Sequence, residues 1–366
     1  MKKWLWMIAA ALFAHAAAAQ QPVKIGVVAS LSGGFAAAAK DTMDGFQAWE
    51  KAHGLPGRKI VLEVLDDETN PVSASNAFRR IASNPDVQLI YLFIPSNSVM
   101  AVKSLASEFK VPIIAGGAAD AIGVPADPWL FKVAPAVRDF MTVLSQYAQK
   151  KGYKRIASLN SSDAFGQAEI INLKELAPKH GLQIVAAETF GVEDTSFNAQ
   201  LTRIRAARPD IIYNGASGRA AILTWRALQQ MGLKQPLVVT QAAVSKAFFD
   251  AIGSPSAADG LMTPMQSGVF GGAAAADAKL YAEMAKAMGR TPVYFNTFGF
   301  DVGVITEAAF KNSNGTRQGL RDALEAMKDL PAVNGPVTYT AKDHTGQNFR
   351  SIVMGKLHGG KPVPAD

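Results

Sequence analysis

The chain has 366 residues, 49% of them hydrophobic, with 37 Lys and Arg against 30 Asp and Glu and no cysteine. Its net charge of +7 includes Lys2 and Lys3, and its densest basic groups are pairs such as Arg79-Arg80 and Lys150-Lys151, which excludes the clustered footprint of a nucleic-acid partner. Without cysteine there can be no disulfide, thiolate nucleophile, cysteine-held metal or lipid-bearing cysteine, so stability has to come from core burial.

In chain order, Lys2 and Lys3 precede the apolar run Trp4 to Ala14, and small residues lead through Ala17, Ala18 and Ala19 to Gln20. That is the pattern of a secretory signal peptide over residues 1–19, cut after Ala19. The run is shorter than the roughly 18 residues a spanning helix needs, and no later stretch compares with it. The expectation is a soluble, monomeric protein of the periplasm. The remaining length exceeds what one hydrophobic core organises, which predicts two domains.

From Val23 onward, short β-branched runs alternate with stretches of helical period. Strands are expected at Val23 to Ser30, Lys59 to Leu65, Val87 to Phe93, Pro112 to Ala115, Arg155 to Leu159, Gln183 to Thr189, Ile211 to Asn214 and Leu237 to Thr240. Val102, Leu105, Ala106 and Phe109 form an apolar helix stripe, as do Ile222, Trp225 and Leu228. Asn70 before Pro71 supplies a cap and a preorganised first helical residue, so Asp66-Asp67-Glu68 should end a strand and open a helix. The order of elements predicts an α/β fold with doubly wound parallel sheets.

Each half presents four strand-to-helix loops in the same order. The first half offers Ser30 to Phe35, Asp66 to Pro71, Pro95 to Ser98 and Ala115 to Ala119; the second offers Asn160 to Gly166, Gly191 to Phe197, Gly215 to Gly218 and Thr240 to Ala243. Ligands of open parallel sheets bind outside the carboxyl ends of the strands, so two such lobes facing each other would enclose a ligand between them. Further on, Phe298, Val302, Ile305 and Ala309 share one helix face and Leu320, Leu324 and Met327 another, and these faces need a sheet to cover. Short strands return around Val337 to Tyr339 and Ser351 to Met354.

Several segments resemble the type I periplasmic binding proteins of the leucine/isoleucine/valine-binding family: Ile25 to Gly33, Asp66 to Pro71, Val111 to Ile114, Phe165-Gly166, Asp194 to Phe197 with Gln200-Leu201, and Gly335 to Val337. The resemblance spans nearly the whole chain after the leader. It implies an N-lobe of residues 23–137 plus 266–333, a C-lobe of 138–265 plus 334–366, and three crossovers near residues 137, 265 and 334. It also implies capture of a small molecule by hinge closure and delivery to an ABC permease with its ATPase subunits, with no cofactor and no catalysis.

The resemblance places Ser96, Asn97, Ser98, Gly117 and Ala119 around a ligand carboxylate, where small residues at a helix N-terminus offer backbone N–H groups to an anion. On the facing lobe it points to Phe165, to Ser217 or Gly218, and to Gln241. Relatives often carry a hydroxyl where Ala119 stands, an aromatic where Ala38 stands and an acid where Gln241 stands. A zwitterion needs an acid beside its ammonium group, so Gln241 favours an organic acid over a branched-chain or other neutral amino acid. Phe35, Phe165 and Phe295 would give it aromatic walls.

An enzyme is the main competing class, and a ligand-sensing protein is a third. His53, His180, His344 and His358 are dispersed, none with a ligand-spaced partner, and are expected in loops or on the surface. No GxSxG, GxxxxGK[ST] or GxGxxG motif occurs. Asp66 and Asp67 point in different directions at a strand end, and so read as capping or hinge contacts rather than paired acids.

Overall fold

The computed structural model describes residues 22–266, 275–347, 350, 352–359 and 361–365. The expected signal peptide lies outside them. The β-branched runs form strands and the amphipathic stretches form helices, in strict alternation at first. β1 (Val23–Ala29), α1 (Ala36–Ala52), β2 (Ile60–Asp66), α2 (Pro71–Ala82), β3 (Leu89–Phe93), α3 (Ser96–Phe109), β4 (Ile113–Ala115), α4 (Asp120–Gly123) and β5 (Leu130–Lys132) make the first lobe. Its sheet is parallel, in the order β2-β1-β3-β4-β5. β3, β4 and β5 are buried along their whole length, which is why they read as continuous apolar runs.

The second lobe follows with α5 (Val137–Lys150), β6 (Arg155–Ser161), α6 (Ala164–Lys179), β7 (Gln183–Phe190), α7 (Asn198–Ala206), β8 (Ile211–Gly215), α8 (Gly218–Gln230), β9 (Leu237–Val239), α9 (Lys246–Ala251) and β10 (Met262–Gln266). Then come α10 (Ala275–Met288), α11 (Tyr294–Lys311), α12 (Arg317–Glu325), the hairpin β11 (Thr338–Thr340) and β12 (Asp343–Gly346), and β13 (Ile352–His358) with β14 (Lys361–Pro364). The second sheet has the order β14-β13-β10-β9-β8-β6-β7. β13 lies antiparallel to β10, and β14 antiparallel to β13.

The loops obey local chemistry. Asn70 Oδ1 accepts from the amides of Val72 and Ser73 at 2.8 and 3.2 Å, and Pro71 opens α2. Asp66 accepts from Leu31 N and Ser32 Oγ, and Asp67 from Ser30 Oγ and Thr69 N. These neighbouring acids therefore tie the β1–α1 and β2–α2 loops together.

α11 is buried on almost all sides, and its main neighbour is α1 rather than a sheet. Two glycines make this possible: a Cβ on Gly299 would fall 1.8 Å from the carbonyl oxygen of Thr42, and one on Gly303 would strike the Trp49 ring at 2.1 Å. The two backbones meet, and Phe295, Phe298 and Val302 are carried to the cleft.

The tail divides, where the sequence expectation kept residues 334–366 together in the second lobe. The β11–β12 hairpin lies on α4 and β5 of the first lobe, with Tyr339 Oη donating to the Lys132 carbonyl at 2.8 Å. Asp301 of α11 explains the difference: its carboxylate accepts from the amides of Val333 and Asn334 and from the side chains of Asn334 and Gln347. Residues 338–346 therefore pack on the first lobe, and the chain is back in the second sheet at Ile352. His344, expected in a loop or on the surface, is buried, with Nδ1 2.9 Å from the Leu130 carbonyl oxygen, Nε2 3.0 Å from Glu325, and its ring stacked on Phe131.

Candidate functional site

The carboxyl ends of the two sheets face each other across a cavity of about 50 Å³. One wall is built by the first lobe. Pro95 caps α3, so Ser96 begins the helix, and the first-turn N–H groups there have no intrahelical partner. Ser96 Oγ accepts from the Ala119 amide at 3.3 Å, which leaves its own hydrogen free to donate. Gly117, at φ +85°, turns the adjoining loop along the cavity, and a Cβ there would lie 2.9 Å from Ile122 Cδ1. Among the described residues, no hydrogen bond engages the amides of Gly117 and Ala118. Lys132 stands behind this loop, fully buried, with Nζ 3.2 Å from the Ala118 carbonyl oxygen; burial pulls its ammonium down to about 8.

The remaining walls are apolar and aromatic. Tyr294, Phe295, Phe298 and Val302 of α11 line one side, with Phe35 edge-on to Phe295 at 5.5 Å between centroids. Phe165, Gln241 and Ala242 come from the second lobe. Thr240 Oγ1 donates to Gln241 Oε1 at 2.9 Å, so the free end of that side chain is its NH₂ group. Among the described residues, no Asp, Glu, Lys or Arg lines the cavity. The buried carboxyl of Glu169 is bound to Tyr213 Oη and Asn160 Nδ2, lies outside the lining, and is pushed by burial up to about 8, so it is mostly neutral at pH 7.

Six residues singled out from the sequence meet at this cavity: Phe35, Ser96, Gly117, Phe165, Gln241 and Phe295. Ser98 and Ala119 do not. Ser98 is buried in the first turn of α3 on a side away from the cavity, its hydroxyl without a partner, and Ala119 turns into the core of the first lobe. Asn97, Ser217 and Gly218 line a separate outer compartment of about 370 Å³ at the cleft mouth, which Phe35 separates from the inner cavity. Sequence reasoning missed Thr42, Phe93, Tyr294, Phe298 and Val302 as lining residues. The signal for the last three was present in the apolar, glycine-interrupted run from Tyr294 to Val302, which reads as ordinary core until α1 is known to lie against it.

A family model described as periplasmic binding protein matches residues 22–360. This chain belongs to that family. The Leu/Ile/Val-binding protein BraC3 of Rhizobium johnstonii is 24% identical over 366 residues, covering 97% of each chain. An extracellular ligand-binding receptor from Rhodopseudomonas palustris HaA2 superposes with a TM-score of 0.85 at 26% identity, over 94% of this chain and all of the other. An ABC transporter solute-binding protein from R. palustris in complex with benzoate shares the fold, with a TM-score of 0.81 at 22% identity over 94% of this chain and 95% of its own. The protein is a type I periplasmic binding protein of the Leu/Ile/Val-binding type, and its relatives and fold are those of solute-binding proteins, not enzymes. Periplasmic binding proteins bind small molecules and deliver them to ABC permeases.

Proposed function

We propose that this protein is exported to the periplasm, where it captures a small organic acid, aromatic or otherwise apolar, for an ABC importer, closing its two lobes around it. The observation that carries this reading is that no charged side chain among the described residues lines the cavity. A carboxylate is well served by uncharged donors, and the Ser96 hydroxyl, the first turn of α3 and the amides of Gly117 and Ala118 lie together on one wall. An ammonium group is not served: Gln241 presents its NH₂ end, and Glu169 is protonated and engaged elsewhere. Burying an unpaired cation costs several kcal/mol.

The aromatic walls suit a ring. The cavity of about 50 Å³ is smaller than the ~150 Å³ of one that admits benzene, so a ring requires Phe35 or Phe165 to swing or the lobes to part slightly. The benzoate complex of a structural neighbour supports the fold's capacity for such a ligand. A branched-chain amino acid is the second reading, favoured by the name of the Rhizobium relative. Mass spectrometry of the solute that co-purifies with the native protein, followed by calorimetry on a solute panel, tests the choice. A co-purifying organic acid supports the proposal, and a co-purifying amino acid overturns it.

A further inference from the structure

Across the cleft from the Ser96 wall, three uncharged polar side chains converge where an apolar cavity would have sufficed. Gln241 lines the cavity with its carbonyl end already taken by Thr240. Tyr294 also lines the cavity, and its hydroxyl lies beside the amides of both Gln241 and Gln266. Gln266, at the end of β10, has no solvent exposure, and neither of its amide atoms completes a hydrogen bond. More than nine in ten buried polar groups are paired; Gln241 and Tyr294 line the cavity and can pair with a group the ligand brings, whereas Gln266 lies outside the lining, beside the Tyr294 hydroxyl. With the ligand's carboxylate engaged at the Ser96 wall, the partner left for this end is a hydroxyl or carbonyl, which an amide and a phenol can pair with.

We infer that Gln241, Tyr294 and Gln266 form a second, neutral polar pole of the cavity, selecting ligands that carry a hydroxyl or carbonyl group remote from the carboxylate. This rests on the acid reading for the identity of the head group, and extends it to the far end. The ligand class is then a hydroxylated or oxo-substituted apolar acid. Tyr294 faces the ligand directly, whereas Gln266 acts through it as a positioning residue. The arrangement makes the parent acid a poorer ligand than its hydroxylated form, because the parent leaves the buried pole unpaired.

Calorimetry on matched pairs tests this: benzoate against 4-hydroxybenzoate, and phenylacetate against 4-hydroxyphenylacetate. The hydroxylated member of at least one pair is expected to bind about tenfold tighter or better. Tyr294→Phe and Gln266→Leu are each expected to shrink that ratio to about threefold or less. A merely structural role for these residues would weaken both members alike and leave the ratio intact, which would overturn the inference. If neither acid pair binds, the acid reading has failed, and tyrosine against phenylalanine decides the pole on its own. No preference for a hydroxyl in any pair overturns it, whether or not the variants fold.

Discussion

The backbone N–H of Arg219 donates to the carbonyl oxygen of Gly34 at 3.2 Å, tying the first turn of α8 in one lobe to the β1–α1 loop of the other. The contact depends on Gly218, which sits at φ +55° and whose Cβ, if it had one, would lie 2.5 Å from that same oxygen. Gly218→Ala is therefore expected to oppose closure. Overpacking of this kind costs roughly 1 to 3 kcal/mol, so ligand affinity should fall about tenfold or more by calorimetry. Unchanged affinity would mean that this contact does not form in the liganded state.

Closure itself is a rigid-body prediction. We propose that the hinge consists of three crossovers, after β5, after β10 and before β13. Small-angle scattering is expected to show a smaller radius of gyration with saturating ligand than without. An identical profile under conditions of proven binding would count against hinge closure.

The serine-rich loop gives a contrast between neighbours. Ser96 borders the cavity with a free hydroxyl hydrogen, so Ser96→Ala should weaken binding of an anionic ligand about tenfold, a charge-assisted hydrogen bond contributing roughly 1.5 to 3 kcal/mol. Ser98→Ala removes a buried hydroxyl that has no partner and should leave affinity within about twofold. Equal losses in the two variants would place the anion elsewhere.

Glu169 predicts a pH dependence of stability. Burial raises its carboxyl from 4.5 to about 8, so between those values the folded chain holds a proton that the unfolded chain has released. Its contribution to stability therefore falls as pH rises through that window and is level above about 8, a tenfold difference in proton affinity between the two states corresponding to about 1.4 kcal/mol. Glu169→Gln carries no such proton, and Asn160 Oδ1, buried without a partner, can accept from the new amide. The Tm advantage of the variant over the parent should grow from pH 5 to pH 8 and then hold. A pH-independent difference would show that Glu169 is ionised in the folded protein.

The α/β alternation was legible because parallel strands buried on both faces leave apolar runs, as at β3 and β8, and because Asn70-Pro71 marks a helix start by its chemistry alone. β10 escaped notice because Pro264 breaks its strand pattern, and β5 because Leu130-Phe131-Lys132 holds no β-branched residue. At the site, loop residues that border the cavity directly, such as Ser96 and Gln241, could be read from their place after a strand. Ser98 could not be separated from Ser96, since the roughly 200° turn between residues two apart on a helix decides which hydroxyl faces the ligand only once the helix orientation is known. Tyr294 and Phe298 were hidden for a different reason: they reach the cleft only because Gly299 and Gly303 let α11 lie against α1, a tertiary contact that no local pattern announces.

The organic-acid proposal rests on the uncharged lining of the cavity among the described residues, and titration calorimetry with leucine, valine, benzoate and 4-hydroxycinnamate tests it most directly. An aromatic acid is expected to bind at micromolar concentration or tighter and to lose that binding when its carboxylate is esterified. Leucine should be weaker by about two to three and a half orders of magnitude, because its ammonium group would be buried without a counter-charge. Micromolar leucine binding with no response to either aromatic acid would contradict an organic-acid site.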